Sequence, residues 1–189
     1  ISDQNDDLVN WDEYKKFHKL LKKSFPLIYK NCDFFQVGKT GLVHKLTGKD
    51  SNADSKKTAQ VLMAHYDVVP AVVEEWDFDP FCGDVVVTDE GEFIRGRGTL
   101  DTKGTLCACM EAVELKLKEG WQPKKDLYLC FSGEEEISGN TTVEIVNWFK
   151  NQNIQVEFVL DEGGAIVEKA FPGVDKRCAM IGTAEKGFI

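Results

Sequence analysis

One histidine and several carboxylates stand at places where a fold could gather them. His65 and Asp67 flank a single tyrosine. Asp101 lies within Gly96-Arg97-Gly98-Thr99-Leu100-Asp101-Thr102-Lys103-Gly104, between a glycine-rich turn and the start of a helix. Glu134, Glu135 and Glu136 follow Ser132-Gly133, and Asp161 opens Asp161-Glu162-Gly163-Gly164. Carboxylates brought together repel one another unless positive charge sits among them. A mixed imidazole and carboxylate set suits Zn2+, with Co2+ or Mn2+ as further candidates. One carboxylate can bridge two ions about 3.5–4 Å apart, the arrangement of two-metal hydrolases. The chemistry in view is metal-assisted hydrolysis.

Each residue alone also has a structural reading. A histidine at a strand end is commonly a hydrogen-bonding group, and three glutamates in a row are commonly a solvated turn. Asp161 could be a turn former. Arg97 reads as an ion-pair partner, and Cys107 and Cys109 as helix-packing residues. The functional reading rests on the joint occurrence in this order.

To converge, these residues need a sheet. Residues 61–64 are a continuous apolar run that suits a strand buried on both faces, and it leads straight into His65. Residues 127–131 lead into the glutamate run, and 156–160 into Asp161. Open α/β sheets bind ligands outside the carboxyl ends of their strands, so one edge could collect all these side chains. Upstream, Trp11, Tyr14, Phe17, Leu20 and Leu21 recur at helical spacing, and Pro26 favours an end to that helix. Residues 32–37 and 42–46 read as short strands, and 49–57 as a polar loop. Residues 85–87 and 92–94 flank a hairpin turn. Leu106, Met110, Val113 and Leu117 mark a helix closed by Gly120. A later helix is expected to turn Val143, Val146 and Phe149 inward. Residues 165–167 and 178–181 read as strands, and 1–10 as a fraying polar end. The β-then-α order with mostly buried strands predicts a three-layer α/β/α sandwich on a mostly parallel mixed sheet.

With 189 residues the chain suffices for one domain with its own core. The formal net charge is −9, and no Lys/Arg cluster is interleaved with aromatics, which argues against nucleic acid. No apolar run approaches a membrane span, so no membrane partner is expected. The six cysteines include no C-x-x-C pair, which argues against a cysteine zinc site. Most sit in apolar runs, pointing to reduced thiols and a cytoplasmic location.

Taken together, the motifs resemble a known family. His65-Tyr66-Asp67-Val68-Val69-Pro70, the Asp101 segment, Glu135-Glu136-Ile137-Ser138-Gly139 and Leu160-Asp161-Glu162-Gly163-Gly164 look like those of zinc metallopeptidases of the carboxypeptidase S, aminoacylase-1 and glutamate carboxypeptidase group. The carboxypeptidase S branch, with its N-acyl-amino-acid-hydrolysing relatives, is the most similar, and Ala184-Glu185-Lys186-Gly187 resembles it too. The resemblance implies that His65 binds the first zinc and that Asp67 orients it. Asp101 would bridge both ions, and the peptide bond after this aspartate is typically cis in the family. Glu136 would complete the first site, Asp161 would bind the second zinc, and Glu135 would be the general base. Family members often carry Asp where Glu134 stands and Gly where Ser138 stands.

The implied reaction is hydrolysis of a peptide or N-acyl amide bond beside a free carboxylate. The resemblance also implies an inserted lid domain that carries a dimer contact, with a final zinc-binding histidine beyond it. Residues 1–189 are therefore expected to be a single catalytic domain that stops ahead of that lid. His18 and His44 are poor substitutes for the final histidine, so the expectation is a strong first zinc site and an incomplete second one. Two alternatives are a non-catalytic metal- or peptide-binding module, and another two-metal hydrolase such as a phosphoesterase or deaminase. The first should lack Glu135 or Asp101, and the second should use more histidine or another ligand order.

Overall fold

The apolar runs form the middle of a sheet in a computed structural model that describes residues 1–51, 58–164 and 166–180. In chain order the elements are α1 (Trp11–Ser24), α2 (Pro26–Asn31), β1 (Asp33–Val37), β2 (Gly41–Leu46), β3 (Thr58–His65), β4 (Val85–Thr88) and β5 (Gly91–Ile94). There follow α3 (Gly104–Lys118), β6 (Asp126–Ser132), α4 (Thr141–Asn151), β7 (Gln155–Leu160), β8 (Ile166–Val167) and β9 (Cys178–Ala179). Five strands make the main sheet in the order β1-β2-β6-β3-β7. β3 is parallel to β6 and β7, whereas β2 is antiparallel to β1 and β6. Only β2 therefore runs against the rest, which is the mostly parallel mixed sheet expected.

Helices cover both faces and complete three layers. On one face α1, α2 and α3 set Tyr14, Leu21, Ile28, Leu106, Met110 and Val113 against Leu42, Leu129 and Phe131. On the other, Ile145 and Phe149 of α4 meet Val43, Val61, Tyr128 and Cys130. Each fully buried Leu, Ile, Met or Phe contributes about 1.5–3 kcal/mol. β6 is buried throughout, as its unbroken apolar run requires.

Several local expectations are corrected. α4 buries Thr141, Ile145 and Phe149, and leaves Val143 and Val146 exposed. Counting in fours from Phe149 keeps one helix face on the sheet, where counting in threes drifts off it. β7 is exposed along its length because it lies at the sheet edge. Pro26 starts α2, where its missing N–H costs nothing. The carboxylate of Glu114 in α3 accepts the next two free N–H groups, from Leu27 at 2.8 Å and Ile28 at 2.9 Å. The first residues are tied down: Ser2 is buried and its N–H donates to the Val68 carbonyl at 3.1 Å. All six cysteines are free thiols, and Cys107 faces solvent where packing was expected.

His44 in β2 is wholly buried among Tyr29, Phe34 and Phe131. Neither of its ring nitrogens has a hydrogen-bond partner among the described residues. No helix there is long and apolar enough to cross a membrane. Ala165, Ile181, Ala184-Glu185-Lys186-Gly187 and residues 52–57 of the polar loop lie outside the described residues.

Candidate metal centre

The parallel register pairs His65, the last residue of β3, with Ser132, the last of β6. The turn after β6 therefore emerges beside His65. β7 enters the same edge through the pair Leu62 and Leu160. Position in the sheet thus brings three of the four sequence motifs together.

His65 is 2% exposed, and its two nitrogens face different partners. Nε2 lies 2.9 Å from Asp101 Oδ1, 3.3 Å from Glu162 Oε1 and 3.8 Å from Glu135 Oε2. Glu136 joins His65 and Asp101 in one group whose candidate ligand atoms all lie within 4.8 Å of one another, and Glu135 and Glu162 form a second such group with His65. On the other side of the ring, Nδ1 is 3.3 Å from Oδ1 of the buried Asp67. The Asp67 carboxylate also accepts the backbone N–H of Glu135 at 3.2 Å and of Glu136 at 3.1 Å.

The fourth motif arrives through the glycine-rich turn. Gly98 has φ +89° and would place a Cβ 2.6 Å from Val68 Cγ1, so both conformation and space exclude a side chain. Asp101 is extended, and the Asp101–Thr102 bond is cis, as the resemblance implies. Gly104 is helical: it is needed for space, because a Cβ there would lie 2.7 Å from the Thr99 carbonyl oxygen.

The electrostatics are those of a cluster short of positive charge. Burial opposes protonation of His65, but Asp67, Glu162 and Asp101 outweigh it and raise its pKa to about 9. Burial, and then the repulsion of Asp101, hold the carboxyl groups of Glu136 and Glu162 above the usual range. Asp67 behaves oppositely. Burial pushes its carboxyl up, but the bonds from His65 and from the two backbone N–H groups prevail and lower it. The proton on His65 thus supplies the positive charge that a cation would bring, and a buried imidazole among carboxylates is a donor set that fits zinc.

His65, Asp67, Asp101, Glu135 and Glu136 come together. Asp161 does not enter either group: it is exposed, and its Oδ1 accepts the N–H of Glu162 at 2.8 Å. Of these two neighbours Glu162 is the one that faces His65, and the sequence reading passed over it. The available signal was its place next to Asp161 at the end of a strand, which gave no means of choosing between neighbours. Arg97 lies over the Trp76 ring, 5.1 Å from its centroid.

A fold and a cluster of this kind define a class. The chain matches the model of peptidase family M20/M25/M40 over residues 61–176 and belongs to that family. It is 36% identical over 181 residues to "Probable carboxypeptidase S-like 2" of Dictyostelium discoideum, covering 94% of this chain and 33% of that protein. It is 33% identical over 183 residues to the N-fatty-acyl-amino acid synthase/hydrolase PM20D1 of Xenopus tropicalis, covering 95% and 34%. The chain thus spans about a third of the length of these curated relatives. Among solved structures, the M20 family metallo-carboxypeptidase Sso-CP2 from Sulfolobus solfataricus shares the fold, with TM-score 0.59 and 24% identity. That match covers 84% of this chain and 33% of the other.

Proposed function

We propose that the chain supplies the catalytic centre of a two-zinc hydrolase that cleaves a peptide or N-acyl amide bond beside a free carboxylate. The observation that carries this reading is the shared clamp of Asp67. It meets the ring of His65 at 3.3 Å and the backbone of both Glu135 and Glu136 at 3.1–3.2 Å. A metal-ligand imidazole and an acidic pair are thereby fixed relative to one another, as hydrolysis requires.

His65, Asp101 and Glu136 would hold one ion. Asp101 would be shared with a second ion that Asp161 helps to bind. Bound zinc supplies Lewis acidity, which brings the pKa of water toward ~7 and polarises a carbonyl. Glu135 takes a proton from the attacking water and delivers it to the leaving amine nitrogen. Its side chain is half exposed, which leaves it accessible to a substrate. Names of the relatives support peptide or N-acyl amino acid substrates. An inserted lid domain, and a dimer made through it, are part of this proposal.

The test is a panel of dipeptides, N-acyl amino acids and phosphoesters given to the zinc-loaded full-length protein, with Glu135→Gln alongside. Turnover of amides bearing a free carboxylate is expected, abolished in the variant while zinc stays bound. Phosphoester turnover alone, or full amide turnover by Glu135→Gln, would refute the reading.

A further inference from the structure

We infer that Glu134 is a positioning residue for the acidic turn, so that three adjacent glutamates do three different jobs. This rests on the reading of Glu135 as base and Glu136 as ligand. Glu134 joins neither metal-type group. Its Oε2 instead accepts the hydroxyl of Thr141, the first residue of α4, and lies 3.3 Å from the hydroxyl of Thr40, in the turn before β2. The two hydroxyls meet at 2.7 Å, and both threonines are wholly buried.

The donors and acceptors form one linked set that ends on Glu134. Gly133 N–H donates to Thr40 Oγ1 at 3.3 Å. Whichever threonine donates to the other, the Glu134 carboxylate receives the remaining hydroxyl hydrogen. Each hydroxyl has a single hydrogen to give, so the chain must end on a group that only accepts, which a carboxylate is. Further bonds fix its start. The Tyr14 hydroxyl donates to the Gly133 carbonyl at 2.8 Å, and the Tyr66 hydroxyl to the Thr40 carbonyl at 2.6 Å. The turn closes back on Glu134, whose carbonyl accepts the N–H of Gly139 at 2.8 Å. A Cβ on Gly139 would lie 2.5 Å from the Cβ of Glu134. Glu135 and Glu136 are therefore held by Asp67 on one flank and by Glu134 on the other.

The test uses zinc-loaded full-length protein carrying Glu134→Ala, Glu134→Gln or Thr141→Val. Two quantities are read: kcat and KM for amide hydrolysis, and the rate of zinc release to a chelator. Glu134→Ala and Thr141→Val should lower kcat by roughly 10–100-fold with little change in KM, and speed zinc release. Glu134→Gln keeps the length and one accepting oxygen, and should recover most of both. Unchanged kcat and zinc release in Glu134→Ala, or a loss that Glu134→Gln does not recover, would overturn the inference. Thr141→Val decides the matter if Glu134→Ala fails to fold. Zinc release separates this inference from the proposed reaction, since it responds to the turn whether or not amides are the substrates.

Discussion

Asp67 meets the His65 ring on the side opposite Asp101: Asp67 Oδ1 is 3.3 Å from Nδ1, and Asp101 Oδ1 is 2.9 Å from Nε2. An Nδ1–H that donates to Asp67 leaves the Nε2 lone pair free for a metal. Because the same carboxylate holds the backbone of Glu135 and Glu136, it couples ring orientation to the acidic turn. Asp67→Ala should therefore weaken zinc binding or activity by roughly 10–100-fold. Competition with a chromogenic chelator measures it, and unchanged affinity would mean that the Asp67 backbone carbonyl, 3.2 Å from Nδ1, is enough to hold the ring.

On the proposed reading, proton and metal compete for His65. Its pKa of about 9 without metal means that the ring is protonated at neutral pH, so zinc must displace a proton and binds more tightly as pH rises toward 9. Glu162 is one cause of that raised pKa. Glu162→Gln should lower it, ease the competition and strengthen zinc binding at pH 6–7. Asp161→Asn should cost the second ion. Zinc titrations of both variants between pH 6 and 9 decide the matter, and weaker binding in Glu162→Gln would make Glu162 the ligand.

Ser138 has φ +52°, in the left-handed region. The resemblance places glycine here in relatives, and the backbone explains why. A side chain in this conformation costs about 1–2 kcal/mol, against about 0.5–1 kcal/mol of extra chain entropy for glycine. Ser138→Gly should thus stabilise the protein by about 0.5–1 kcal/mol. Denaturant midpoints read the change, and a fall in stability would show that the serine makes a compensating contact.

His44 predicts an acid-sensitive core. Burial lowers its pKa to about 4 from the usual 6.5. The unfolded chain therefore takes up this proton first as pH falls, so the contribution of His44 to stability is complete above about pH 6.5 and is lost down to about pH 4. The amount at stake is on the order of 3 kcal/mol. His44→Phe, in the same aromatic surroundings, should flatten the stability curve between pH 7 and 4 by that amount. Equal slopes for the two proteins would place the acid sensitivity elsewhere.

Much of this centre was legible in the sequence because it depends on strand ends. An apolar run followed by His65, and another followed by Ser132-Gly133, place both motifs at one edge once the strands are parallel, and β3 and β6 are. The glycines around Asp101 announced a tight approach, which Gly98 makes against Val68. What was hidden depends on side-chain direction after the strand has ended. Between Asp161 and Glu162 the backbone turns, and no periodicity says which neighbour faces inward. The resemblance had already assigned roles to Glu135 and Glu136, but nothing in the sequence showed that Glu134 reaches Thr40 and Thr141, the latter from an element expected to contribute only apolar contacts. α4 was misjudged for a related reason: a valine at position 146 suits either helix face until the sheet beneath fixes Phe149.

The register of β3 against β6 carries a further meaning. Side chains on β3 alternate between the two cores, with Ala64 on one side and Val61 on the other. A slip of one residue would exchange those sides and carry His65 away from its place opposite Ser132. Correct strand alignment is therefore a precondition for the candidate ligands to meet. Zinc uptake during refolding would serve as a stopwatch for the moment when these two strands lock.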